Sequence, residues 1–127
     1  MTSHYILCRV SGSFDQIAQN LSDKFGNVHN ERWNTLEGRI AVILGESYFF
    51  RSNSDAAILM IMKEVSLSET NLEIISCAGA SGLAGFSLGS ESSYVHEIRD
   101  SLQKSGFKVE VIKEINYYDS SSLRATQ

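Results

Sequence analysis

The chain has 127 residues, 43% of them apolar and 20% charged, which is the make-up of one folded domain rather than of a disordered segment. Eleven basic residues stand against fifteen acidic ones, a formal net charge of −4. Affinity for nucleic acid rests on neutralised phosphates, so an acidic chain without a Lys/Arg cluster argues against nucleic acid as a partner, and against an anionic membrane surface. The longest near-continuous apolar run, Ala56 to Met62, is far short of the roughly 20 residues a membrane-spanning helix needs, and the start turns polar too soon for a signal peptide. The expectation is a cytoplasmic protein with no membrane partner.

Residues 4–10 (HYILCRV) alternate, with Ile6, Cys8 and Val10 facing inward and Tyr5 and Arg9 outward, so they predict a strand ending at Ser11-Gly12. Ser13 with Gln16 three residues later forms a capping box. Phe14, Ile17, Ala18, Leu21 and Phe25 then follow at helical spacing, and Gly26 suits a left-handed stop. Residues 27–38 are polar around a single tryptophan and predict a loop. In 39–51 (RIAVILGESYFFR) the first half predicts a buried strand. Gly45-Glu46 is either a tight turn or a bulge inside one long strand, and Tyr48, Phe49 and Phe50 favour strand again.

Ser52 to Asp55 is a turn cluster. The run 56–66 (AAILMIMKEVS) permits a helix or a buried strand, and its length and flanking turn residues favour strand. Residues 71–78 predict another, with Leu72, Ile74 and Ser76 opposite Glu73, Ile75 and Cys77. A second helix is capped by a serine between Ser90 and Ser93, carries Tyr94 or Val95, Ile98 and Leu102 as its stripe, pairs Asp100 with Lys104, and ends at Gly106. Residues 107–115 alternate, with Phe107, Val109 and Val111 on one face and Lys108 and Glu110 on the other. The expected domain is 1–115, followed by a flexible C-terminal tail, 116–127. Strands that follow one another directly form antiparallel hairpins. The order β-α-β-β-β-(β)-α-β therefore predicts an α+β fold, a twisted antiparallel sheet with two helices on one face.

The stretch GASGLAGFSLGS (79–90) places four glycines just before the second helix. Converging backbone N–H groups at a helix start suit a phosphate or carboxylate, which makes Gly79, Ser81, Gly82, Gly85, Ser87 and Ser90 candidate ligand contacts. The spacing matches neither G-x-x-x-x-G-K-[ST] nor G-x-G-x-x-G, and there is no lysine between Lys63 and Lys104. A hairpin at Ala80-Ser81-Gly82 leading into a strand over 83–88 is the favoured reading.

Two cysteines, Cys8 and Cys77, lie in different predicted strands without a C-x-x-C spacing and are expected as buried free thiols. Nothing in the spacing of His4, His29 and His96 brings them into one ligand set, so no metal or other cofactor is expected. His96 stands one turn before Asp100. A Cys77/His96/Asp100 constellation is conceivable, but a nucleophile needs its base within hydrogen-bond reach, and a solvent-facing histidine is the favoured reading.

Arg32 and Trp33 in the polar loop, with Tyr48 and Phe50, are candidate interface residues, because Trp and Arg are enriched at hot spots. The favoured alternative for Trp33 is that it folds back over an end of the core. Segments 40–44, 48–50 and 57–62 are apolar on both faces. If the helices cover one face, the other is paired with a subunit or curved around an apolar ligand.

SGSFDQIAQNL (11–21) and SCAGASGLAGFSLGSESSYVHEIRDSL (76–102) resemble a small uncharacterised bacterial and archaeal family, in which G-x-F-D opens a first helix and a glycine-serine stretch leads into a second. The resemblance covers most of residues 5–112 and implies no catalytic residue. The element order also looks like folds in which a helix grips a curved antiparallel sheet, or like the half-repeat of the TATA-binding-protein fold. The expected function is a non-catalytic binding or protein-interaction module that associates with itself, with room for a small apolar ligand. The alternative is an enzyme or anion-binding protein using Gly79–Ser90.

Overall fold

The computed structural model describes residues 2–49, 54–78, 90–116 and 118–119. The fold is α+β. Strand β1 (Thr2–Ser11) is followed by helix α1 (Phe14–Phe25), strands β2 (His29–Thr35), β3 (Gly38–Phe49), β4 (Ser54–Ser66) and β5 (Glu69–Ala78), helix α2 (Ser90–Lys104) and strand β6 (Lys108–Asn116). The six strands form one sheet in the order β2-β3-β4-β5-β1-β6, every neighbour antiparallel. Strands β2 to β5 form a meander, and β1 is inserted between β5 and β6. Helix α1 carries the chain from β1 to the far edge strand β2, over β3 and β4. Helix α2 carries it from β5 across β1 to the other edge, β6.

Both helices pack on the same face. Phe14, Ile17, Ala18 and Leu21 of α1, and Tyr94, Val95, Ile98 and Leu102 of α2, meet Ile6, Cys8 and Val10 of β1, Ala41 and Ile43 of β3, Ile58, Met60 and Met62 of β4, and Leu72 and Ile74 of β5. Each is essentially fully buried, which contributes about 1.5–3 kcal/mol for a large aliphatic side chain. Helix α1 begins as its sequence predicts, with the Ser13 side chain accepting from Gln16 N.

Gly26 does stop α1, but at φ −93 rather than in the left-handed region. The reason for glycine there is space, since a Cβ would press on Ile43 and on the Ser22 backbone. Gly45 is neither turn nor bulge. Strand β3 runs straight through it, and its missing Cβ admits the Phe25 carbonyl at the end of α1. Gly106, at φ +95, ends α2 as expected.

Two further expectations are corrected. Residues 29–35, expected in a loop, form the edge strand β2, which is exposed along its whole length. Tyr5, expected to face solvent, does point away from the helices but is buried. Tyr118 stacks on its ring at 4.7 Å, and its hydroxyl donates to Glu73 Oε2 at 2.7 Å. Tyr118 is in turn tied back: its N–H donates to Ser3 O at 3.1 Å, and the Ser3 hydroxyl donates to the Tyr118 carbonyl. The segment after β6 therefore begins docked on the sheet. The strand expected over 83–88 lies outside the described residues, as do 120–127.

Strand β6 contains a bulge. Val111 pairs with Cys8 and Lys113 with Leu7, so Ile112 is an extra residue. A bulge re-aims the side chains beyond it. Val109 and Val111 share the helix face with Val10 and Cys8. Past the bulge it is Glu114, paired with Ile6, that takes this face.

Candidate functional site

Two features have chemistry that the core does not use. The first is the sheet face opposite the helices. Period-two alternation puts Leu7 of β1, Ile40, Val42 and Leu44 of β3, Leu59 and Ile61 of β4, and Ile75 and Cys77 of β5 on that face, all half-buried. The register lines them up in rows. One row runs Leu44, Leu59, Ile75, Tyr5 and Ile115. The next runs Val42, Ile61, Glu73 and Leu7. Trp33 of β2 stands beside Ile40 with 43% of its surface exposed. Both helices lie on the opposite face, and among the described residues Tyr118 is the one aromatic ring shown stacked on this side.

The second feature lies on the helix face, near the start of β1. His4 comes from that strand, His96 from the second turn of α2, and Glu114 from β6 beyond the bulge. Glu114 Oε1 is 2.7 Å from His96 Nε2 and 3.1 Å from His4 Nε2. The imidazole rings meet edge to face, with centroids 5.8 Å apart. The His4 side chain is 3% exposed, and its Nε2, although near the carboxylate, has no aligned hydrogen-bond partner. Ser76, directly opposite His4 on β5, is fully buried with its hydroxyl also unpartnered. The hydrogen bond with His96 first, and then the nearby His4 imidazole, hold the Glu114 carboxyl below the usual carboxylate range. His96 and Glu114 are open to solvent, at 37% and 38%. Imidazole and carboxylate are ligands for divalent transition metals, so among the described residues these three form a group that could hold an ion.

The histidines, which their spacing keeps apart, are thus partly brought together: His4 meets His96, while His29 lies on β2 beside Glu31. His96 is held by Glu114, while Asp100 takes Arg99 at 3.1 Å. Cys77 faces away from the helices, so the sheet separates it from His96 and the Cys77/His96/Asp100 constellation does not form. Cys8 is buried beneath the helices, where desolvation pushes its thiol up to about 11. Cys77 is only half-buried.

Of the interface candidates, Trp33 does not fold back over the core but stands on the open face. Arg32 points the other way, 3.8 Å from Asp15 of α1. Tyr48 is in β3, its backbone paired with Asp55, and Phe50 lies outside the described residues. So do Gly79, Ser81, Gly82, Gly85 and Ser87, while Ser90 is the first residue of α2. Core side chains of the described residues lie between sheet and helices. A groove of about 710 Å³ runs between α1 and α2, with charged Lys24, Glu97, Asp100 and Lys104 in its lining.

No protein-family model matches the sequence, and no curated protein matches it significantly. No helix among the described residues is long and apolar enough to cross a membrane.

Proposed function

We propose that the chain is a non-catalytic, cytoplasmic interaction module that pairs with a second copy of itself through the open sheet face. The observation that carries this reading is the pair of apolar rows centred on Leu44, Leu59, Ile75, Val42 and Ile61. A face of six strands about ten residues long, at about 3.3 Å per residue and 4.8 Å between strands, offers on the order of 900 Å². A standard interface takes about 800 Å² per partner, so one such face meets what a stable dimer requires. Trp33 at its margin supplies an aromatic anchor, the residue type enriched at interface centres. Two identical faces meeting about a two-fold axis give a closed contact and no open polymer. The acidic net charge supports a protein partner over nucleic acid.

Sedimentation velocity over a concentration series tests this, read alongside emission from Trp33, the single tryptophan. The expected result is a dimer whose Trp33 emission shifts to the blue as it assembles. Leu59→Lys is expected to leave a folded monomer with red-shifted emission. A wild-type chain that stays monomeric at every concentration, or a Leu59→Lys variant that dimerises unchanged, overturns the reading.

A further inference from the structure

We propose that His4, His96 and Glu114 form a binding site for a divalent transition-metal ion, zinc above all. Each residue presents one ligand atom, and the three atoms lie within 4.8 Å of one another. Zinc bound tetrahedrally, with ligands at about 2.0–2.2 Å, spaces its ligand atoms by roughly 3.3 Å. The observed 2.7 and 3.1 Å to Glu114 Oε1 need only a slight widening to admit the ion.

A second, independent observation points to a ligand. His4 is almost wholly buried, yet its Nε2, 3.1 Å from Glu114 Oε1, makes no aligned hydrogen bond. Buried polar atoms are nearly always satisfied, and those that are not call for an explanation such as an absent ion or water. Bound zinc would satisfy this nitrogen directly. The unpartnered Ser76 hydroxyl opposite His4 adds to the surplus of buried polar groups in the same region.

The scaffold suits the task. His4 is fixed in an interior strand, and His96 sits on a helix whose Val95 and Ile98 are locked in the core. Glu114 reaches the histidines because the bulge at Ile112 turns it inward. Two imidazoles and one carboxylate favour zinc, nickel or copper over magnesium or calcium, which take oxygen ligands. Three protein ligands leave a fourth position. The solvent exposure of His96 and Glu114 gives that position to water, so the site is open and exchangeable rather than a closed structural one.

The test uses the full chain stripped with chelator and titrated with zinc chloride by calorimetry, then with cobalt chloride by visible absorption. The expected result is one ion per chain and the intense visible bands of low-coordinate cobalt. His96→Ala and Glu114→Gln, both at partly exposed positions, are expected to retain their far-ultraviolet circular dichroism and to bind at least about 100-fold more weakly, the upper end of what even supporting residues of a metal site contribute. His29→Ala should bind as the wild type does. Stoichiometric binding that survives in the His96→Ala/Glu114→Gln double variant, or a wild type that binds no better than that variant, overturns the proposal.

Discussion

Replacing Gly45 with alanine tests how α1 is held against the sheet. A Cβ at this position would lie 1.8 Å from the Phe25 carbonyl oxygen and 3.3 Å from Asn27 Oδ1. Ordinary contact needs at least 3.4 Å, so the last turn of α1 must retreat by well over an ångström. That retreat strains the link in which Asn27 accepts from Glu46 N at 2.9 Å and donates to Glu46 O at 3.0 Å. Overpacking a well-filled site costs about 1–3 kcal/mol, and a clash with backbone rather than with a flexible side chain places Gly45→Ala at about 3 kcal/mol. For a domain of this size that lowers Tm by about 12 °C. Gly106→Ala is the matched control, because nothing lies within 4 Å of its added methyl and only the positive φ of +95 opposes it. Its cost is about 1–2 kcal/mol. Urea denaturation of the two variants beside the wild type decides the matter. A Gly45→Ala variant within about 0.5 kcal/mol of wild type, the range of an inconsequential surface change, would refute the packing argument, as would one less costly than Gly106→Ala.

Thiol reactivity should separate the two cysteines. Cys77 on the open face is expected to react in the native protein, and more slowly as the concentration rises where the proposed dimer covers it. Cys8, buried and with its thiol pushed up to about 11, should react only as the protein unfolds. Equal rates under native conditions would contradict this placement. Acid stability should depend on Glu64, whose carboxyl is held below its ordinary value first by hydrogen bonds from Arg39. A folded-state pKa below the unfolded one gives stabilisation that is complete above the unfolded value of about 4.5 and is lost as pH falls through the folded value. Glu64→Gln should therefore lower stability at neutral pH and flatten its decline in acid. Denaturation curves with the same acid slope as wild type would sink that assignment.

The elements that bury a face were legible in the sequence. Ser13 with Gln16 marks the start of α1, and Leu72, Ile74 and Ser76 alternate with Glu73, Ile75 and Cys77 as β5 requires. The run 56–66 was open between helix and strand because β4 has a buried core face and an apolar open face, which erases its alternation. Strand β2 left no signal at all. It is an edge strand exposed along its length, so neither burial nor periodicity constrains its residues, and its charged and polar side chains are those that discourage edge-to-edge pairing. The cluster of His4, His96 and Glu114 was hidden for a different reason. Simple alternation through FKVEVIKEI assigns Glu114 to the face of Lys108 and Glu110, and only the bulge at Ile112, which has no marker such as glycine, moves it beneath α2. The burial of Tyr5 depends likewise on Tyr118, a contact between opposite ends of the described chain.

The central place of β1 has a consequence for the making of the protein. Thr2–Ser11 is translated before both of its partners, Glu69–Ala78 and Lys108–Asn116. The β2 to β5 meander can pair as it emerges from the ribosome, while β1 waits with both edges bare. Pairings this distant in sequence slow folding. His4 therefore stays an unshielded imidazole until both later strands have been made, and the native surroundings of that side chain come into being only once Lys108–Asn116 has paired.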